Sequence, residues 1–214
     1  MVGPLHASEA AGSAPALSRR DVLRATLVLA SLTLYGPPAQ ALGGDLPQLD
    51  QPAPGFSLDG VEPAPLAAGA AAAPADGAVP THLTLNDFRG RWLVLYFYPR
   101  DFTSGCTLEA RGFQRDLNAF HRQGAEVVGI SADSPDDHAA FCGSEGLRYP
   151  LLSDPGGQVS RAWGSWLAPF SLRHTFLIDP QGLLRARWTA VRPAGHSQEV
   201  LAELSQLQQA APAG

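Results

Sequence analysis

Two cysteines, Cys106 and Cys142, are the side chains of this 214-residue chain best suited to covalent chemistry. They are too few for a disulfide scaffold, and they do not form a Cys-x-x-Cys pair. No cluster of cysteine and histidine has the spacing of metal ligands, so we expect no bound metal and no cofactor. The two cysteines are therefore either inert core residues or a redox pair used for chemistry.

Cys106 is the more informative of the two because of the elements predicted around it. The run Trp92–Tyr98 is aromatic and aliphatic throughout, which is typical of a central strand buried on both faces, and Pro99 ends it. Residues 105–123 carry apolar side chains three or four positions apart, which predicts a helix with one buried stripe. Cys106 then lies in the first helical turn, where free N–H groups and the helix dipole favour the nucleophilic thiolate over the thiol.

The sequence around Cys106 resembles the active-site loop of the peroxiredoxins. That loop follows the pattern Pro-x-x-x-Thr/Ser-x-x-Cys, which Pro99, Thr103 and Cys106 fill. The longer run YFYPRDFTSGCTLE, residues 96–109, is similar to the signature of one branch, peroxiredoxin Q or bacterioferritin comigratory protein. Ser104 stands where this branch usually has proline, which makes the loop less rigid.

The resemblance implies a role for each site residue. Cys106 would attack the terminal oxygen of a peroxide and become a sulfenate. The Thr103 hydroxyl and the Cys106 N–H would hydrogen-bond the two peroxide oxygens, and Pro99 would shape the pocket. Arg173, in a run similar to the strand that carries the family's active-site arginine, would stabilise the thiolate and the charge that develops as the O–O bond stretches. Glu109 would support this network by orienting it.

The residue that regenerates Cys106 is left open by the sequence. Many members of the branch have a resolving cysteine five positions after the nucleophile, but here that position is Arg111. Cys142, on a helix predicted over Pro135–Gly146, is the other candidate, and it resembles a subset of the branch. The alternatives are that Cys142 only packs in its helix, or that the two cysteines form a permanent disulfide.

The rest of the chain predicts the fold that would position these residues. Strands alternate with helices, and a strand hairpin over His174–Trp188 precedes a terminal helix over 197–209. This order indicates an α/β fold with a central mixed sheet flanked by helices, and the resemblance, which covers roughly residues 50–205, makes it thioredoxin-like. Residues 61–80 are rich in alanine, proline and glycine and predict a flexible surface insertion. His138 and His196 are isolated and are expected on solvated faces.

Residues 1–41 have the pattern of a twin-arginine export signal. Arg19-Arg20 precedes an apolar run, Ala25–Tyr35, that is about half the ~20 residues a membrane-spanning helix needs. Ala39-Gln40-Ala41 offers a small-x-small cleavage site. We expect a cleaved signal, a domain over 42–214 in the periplasm or thylakoid lumen, and no stable membrane insertion. The alternative is a short amphipathic helix or an uncleaved anchor.

The resemblance implies a thiol peroxidase that reduces hydrogen peroxide and organic hydroperoxides with electrons from thioredoxin or a similar dithiol. It also implies a monomer. A thioredoxin-fold redox sensor or chaperone with little turnover remains the alternative, whereas a disulfide oxidoreductase is disfavoured by the missing Cys-x-x-Cys. The net charge of −5 gives no electrostatic footprint for nucleic acid.

Overall fold

The computed structural model describes residues 40–41, 43–64 and 77–210. Its strands are β1 Gln40–Ala41, β2 Gly44–Asp45, β3 Ser57–Pro63, β4 Ala78–Thr84, β5 Trp92–Phe97, β6 Ala125–Ser131, β7 Leu151–Ser153, β8 Trp166–Leu167, β9 Phe170–Ser171, β10 His174–Ile178 and β11 Leu184–Trp188. Its helices are α1 Ser104–Arg122, α2 Pro135–Glu145, α3 Gln158–Ala162 and α4 His196–Ala210, and a 3₁₀ turn spans Leu85–Phe88.

Seven strands form one sheet, in the order β11-β10-β5-β6-β7-β3-β4. β5, β6 and β7 are parallel neighbours, as expected of strands joined by the crossover helices α1 and α2. The other neighbouring pairs in the sheet are antiparallel. The predicted α/β fold with a central mixed sheet is therefore confirmed.

Strand β5 lies inside the sheet, between β10 and β6, and contributes side chains to both of its faces. Val94 and Tyr96 pack with residues of α1, α2 and α4, whereas Leu93 and Leu95 pack on the opposite face with residues such as Trp163. Because alternate side chains of a strand point to opposite faces, a continuous apolar run suits a strand covered on both sides. The polypeptide that follows β5 is thus held at the end of a rigid, buried element.

Helix α2 begins and ends where its sequence signals indicate. Ser134 is the N-cap and forms a capping box with Asp137, and Pro135 occupies the first helical position. Gly146 closes the helix in a left-handed conformation, with φ of 64°. The acidic residues Asp136 and Asp137 thus lie in the first turn, where negative charge stabilises a helix start.

The surface insertion expected over 61–80 is shorter than predicted at both ends. Val61–Pro63 ends β3 and Ala78–Pro80 begins β4, and the two segments pair antiparallel to each other. The interior of the insertion, residues 65–76, lies outside the described residues, as does the predicted export signal apart from Gln40–Ala41. Among the described residues, no helix combines the length and apolar character needed to cross a membrane.

Candidate active site

The loop between β5 and α1 places Cys106 in the first turn of a long helix. Thr103 is the N-cap of α1, with extended backbone angles, and Cys106 is the third helical residue. The Thr103 side chain makes no capping hydrogen bond, because its hydroxyl donates instead to the Arg100 carbonyl oxygen at 3.1 Å. The first turn therefore keeps the partial positive charge that a helix start directs toward an anion.

Arg173 bridges Cys106 and Glu109 through its guanidinium group. Its Nη2 lies 3.2 Å from the Cys106 sulfur, and its Nη1 donates to Glu109 Oε2. Cys106 and Glu109 are three residues apart on α1, so they share one helix face, and both are almost completely buried. The structure thus brings together three of the predicted site residues, because the partly buried Arg173 contacts both Cys106 and Glu109.

Sheet register explains how Arg173 reaches a cysteine 67 positions away. Strand β10 runs antiparallel to β5, with His174 opposite Phe97, so Arg173 stands beside the point where the loop leaves β5. Gly105 leaves room for the guanidinium, since a Cβ atom there would lie 3.3 Å from Arg173 Nη2. The predicted arginine is therefore positioned by the pairing of β10 with β5.

Burial changes the protonation of Glu109 despite its cationic partner. Removal from water raises the pKa of this carboxyl to about 7, and the nearby Arg173 only partly opposes the rise. Its second oxygen, Oε1, finds no hydrogen-bond partner among the described residues, which leaves its charge poorly solvated. Glu109 can therefore gain or lose a proton near neutral pH while it contacts the arginine.

Pro99 and Thr103 lie at the surface end of the site. Pro99 is half-buried and lines a shallow depression together with residues that include Asp133 and Phe170. Thr103 is exposed at the start of α1 and lines a neighbouring depression that also contains Phe102. Both predicted residues thus precede Cys106 in the segment that leads into α1, at the solvent side of the site.

Cys142 lies in the core near the end of α2. Both cysteines carry free thiols, and each belongs to the core cluster between the sheet and helices α1, α2 and α4. Burial, with a smaller contribution from the charge of Asp101, raises the pKa of the Cys142 thiol to about 12. Arg111, where many members of the branch have the resolving cysteine, instead pairs with Glu145 at the end of α2, with Nε and Oε2 2.5 Å apart.

The predicted solvated positions of His138 and His196 are wrong. His138 is fully buried and bonds Asp101 of the active-site loop, with Nδ1 and Oδ2 2.7 Å apart. His196 is equally buried, and its Nε2 lies 2.9 Å from the Thr175 hydroxyl. His138 could have been placed correctly from its spacing, because it lies three and four residues before Phe141 and Cys142 on one apolar helix face.

Comparison with known proteins agrees with this arrangement. The model of the AhpC/TSA family matches residues 49–187. The peroxiredoxin Bcp of Xanthomonas campestris is 39% identical over 133 residues, which cover 58% of this chain and 82% of that protein. The chloroplastic peroxiredoxin Q of Gentiana triflora is 37% identical over 139 residues, 58% of this chain and 64% of that one.

Solved structures give the same result. The crystal structure of a PrxQ mutant from Xylella fastidiosa superposes with a TM-score of 0.58 at 36% identity, over 60% of this chain and 84% of that one. The extent of the family match, together with these relatives, confirms the resemblance seen in the loop around Cys106. The chain belongs to the AhpC/TSA family and is a peroxiredoxin of the Q type, that is, a thiol peroxidase.

Proposed function

We propose that Cys106 is the peroxidatic nucleophile and that Arg173 and Thr103 activate it toward hydrogen peroxide and organic hydroperoxides. The observation that carries the proposal is the Arg173 Nη2 donor 3.2 Å from the sulfur, at the start of a helix. A cation and a helix N-terminus both stabilise negative charge on sulfur. No other described nucleophile combines the two.

In the first step, the Cys106 thiolate attacks the terminal oxygen of a hydroperoxide. A sulfur–oxygen bond forms, the O–O bond breaks, and the leaving alkoxide or hydroxide takes up a proton as alcohol or water. Arg173 and the N–H groups of the first turn stabilise the charge that moves onto the oxygens. Thr103 contributes its hydroxyl, and Pro99 limits access of water to the oxidised sulfur.

Organic hydroperoxides are included because of a relative. A solved structure of the bacterioferritin comigratory protein of X. campestris, 36% identical to this chain, concerns alkyl peroxide reduction by that protein.

In the second step, Cys142 resolves the sulfenic acid, and a dithiol such as thioredoxin then reduces the disulfide. Condensation of the sulfenic acid with the thiol forms a sulfur–sulfur bond and releases water. Two solved structures of X. campestris peroxiredoxin Q are variants in which a cysteine at position 48 or 84 of that protein is replaced by serine. Those cysteines are separated by 36 positions, as are Cys106 and Cys142.

The resolving role is tested by a Cys142→Ser variant, with Ala140→Ser on the exposed side of the same helix as the control. We expect the first variant to lose steady-state turnover with thioredoxin while its first reaction with peroxide continues. Ala140→Ser should keep the turnover of the unmodified chain. Equal turnover for all three proteins would show that an external thiol, and not Cys142, regenerates Cys106.

Export by the twin-arginine route is the proposal for location. It rests on Arg19-Arg20 and the apolar run that follows, and it implies that the reducing dithiol must be supplied in the periplasm or thylakoid lumen. Several plant relatives are named chloroplastic, which is compatible with a targeted protein. A reporter fused behind residues 1–45 should leave the cytoplasm, and retention there would contradict the proposal.

The domain is proposed to act as a monomer. Size-exclusion chromatography of the reduced chain should then give the mass of one copy, and a larger mass would contradict the proposal.

The protein is proposed to be an enzyme rather than a redox sensor or chaperone. A sensor or chaperone would show slow thiol loss with peroxide and no continued turnover with a dithiol. Fast thiol loss followed by sustained turnover is the outcome that the enzyme proposal requires.

A further inference from the structure

Two consecutive residues of the active-site loop hold the helix that carries Cys142. Asp101 Oδ2 lies 2.7 Å from His138 Nδ1, and both side chains are almost fully buried. The next residue, Phe102, packs its ring edge-on against Phe141, with centroids 5.2 Å apart and an interplanar angle of 68°. We call these two contacts, Asp101–His138 and Phe102–Phe141, the α2 clamp.

The hydrogen bonds around His138 show that the first contact belongs to a buried network. His138 Nε2 lies 3.2 Å from the Leu152 carbonyl oxygen, which can only accept, so Nε2 carries a proton. The other carboxylate oxygen, Asp101 Oδ1, accepts a hydrogen bond from the Tyr98 hydroxyl at 2.7 Å. The Asp101–His138 contact is therefore held from both sides by further buried hydrogen bonds.

The second contact involves a residue with an unusual backbone. Phe102 has a φ of 59°, a left-handed conformation that is rare for a bulky residue and strains the backbone. Its side chain is more than half exposed, yet it contacts the fully buried Phe141. The loop thus accepts a strained conformation at the position where its side chain reaches α2.

The α2 clamp contacts the part of α2 that must open before Cys142 can react. Cys142 directly follows Phe141 and lies one turn after His138, and its thiol is buried and neutral. Attack on a sulfenic acid requires the thiolate, which forms only where water or a polar group can stabilise it. The C-terminal part of α2 must therefore open before the disulfide forms, and the clamp opposes that opening.

We infer that His138, Asp101 and Phe102 are positioning residues that set the rate at which α2 opens for resolution. This inference rests on the proposed resolving role of Cys142. While the clamp is closed, Cys106 stays beside Arg173 and can react with peroxide. A sulfenic acid that waits too long for the helix to open can react with a second hydroperoxide, which adds one oxygen to give sulfinic acid and releases alcohol or water.

Three variants test the inference. His138→Leu removes the hydrogen bond to Asp101. Phe102→Ala removes the aromatic contact and keeps a non-glycine residue at this positive-φ position. Leu167→Ala is the control, because Leu167 is a similarly exposed apolar residue on β8. Phe102→Ala keeps the test possible if loss of the buried pair prevents folding, since the Phe102 side chain is largely exposed.

Hydrogen exchange of the reduced proteins measures the opening of α2 directly. Relative to the amides of β5, we expect the α2 amides to exchange about threefold to tenfold faster in Phe102→Ala, the range that an aromatic pair supports. The effect of His138→Leu should be about tenfold or more, because it leaves a buried oxygen of Asp101 without its hydrogen-bond partner. The Leu167→Ala protein should match the unmodified chain.

Single-turnover oxidation with mass spectrometry measures the consequence for chemistry. Both clamp variants should form the Cys106–Cys142 disulfide faster and yield less sulfinic acid at a given excess of hydroperoxide. Unchanged α2 exchange, or faster exchange with an unchanged rate of disulfide formation, would overturn the inference. Failure of the resolving role would be recognised separately, because no Cys106–Cys142 disulfide would form in the unmodified chain, and that result would also overturn the inference.

Discussion

Replacing Arg173 by glutamine removes the cation whose Nη2 lies 3.2 Å from the Cys106 sulfur. In the unmodified background it would also leave the buried Glu109 without its partner, a change that destabilises folded proteins for reasons unrelated to catalysis. The comparison is therefore best made in a Glu109→Gln background, where the neighbouring side chain keeps its size and carries no charge. The two proteins then differ only in the group that faces the sulfur.

A hydrogen bond to a charged group contributes about 1.5–3 kcal/mol, and about 1.36 kcal/mol changes a rate tenfold. We therefore expect Arg173→Gln to lower the second-order rate constant with hydrogen peroxide by about 10- to 150-fold. The assay is single-turnover loss of the Cys106 thiol, quenched by alkylation and followed by mass spectrometry. Rate constants within threefold of each other would show that the guanidinium does not stabilise the reacting sulfur, and would refute the assigned role of Arg173.

Two further predictions concern stability. Burial raises the pKa of Glu109 from 4.5 to about 7, so between those pH values the folded chain binds a proton that the unfolded chain does not. The free energy of unfolding therefore falls by about 3 kcal/mol as pH rises through this window. Urea unfolding at pH 5 and pH 8 should show a smaller fall for Glu109→Gln, and equal falls would contradict the assigned burial effect. Ser104→Pro should raise stability by about 0.5–1 kcal/mol, because Ser104 is the first residue of α1 and Thr103 before it is extended. Thermal unfolding checks this, and a lower melting temperature would show that the loop does not accept proline.

The local part of the site was predictable because its signals are contiguous. The buried strand, Pro99 and the start of α1 follow one another along the chain, and together they place Cys106 in the first turn of a helix. Arg173 could be predicted only through the family resemblance. Its position depends on the pairing of β10 with β5, a long-range register that local periodicity does not contain.

The errors have equally physical causes. Residues 61–63 and 78–80 seemed too poor in apolar side chains for strands. They nevertheless form the end of β3 and the start of β4, which pair as a hairpin, and β4 is the edge strand of the sheet. At an edge Pro80 is tolerated and little side-chain burial is needed. His138 was predicted to face solvent because an isolated histidine usually lies on the protein surface. Its buried partner, Asp101, lies 37 positions away, so only the three-dimensional structure reveals the pair.

The most direct test of the central claim is the rate constant for loss of the Cys106 thiol when the reduced chain meets hydrogen peroxide at pH 7. The structure predicts a value at least about a hundredfold above that of free cysteine, because donors aimed at developing charge contribute factors of this size. In the same experiment the Cys142→Ser variant should react at the rate of the unmodified chain, and Cys106→Ser should consume no peroxide. A rate constant no higher than that of free cysteine would contradict the assignment of Cys106 as an activated peroxidatic thiolate.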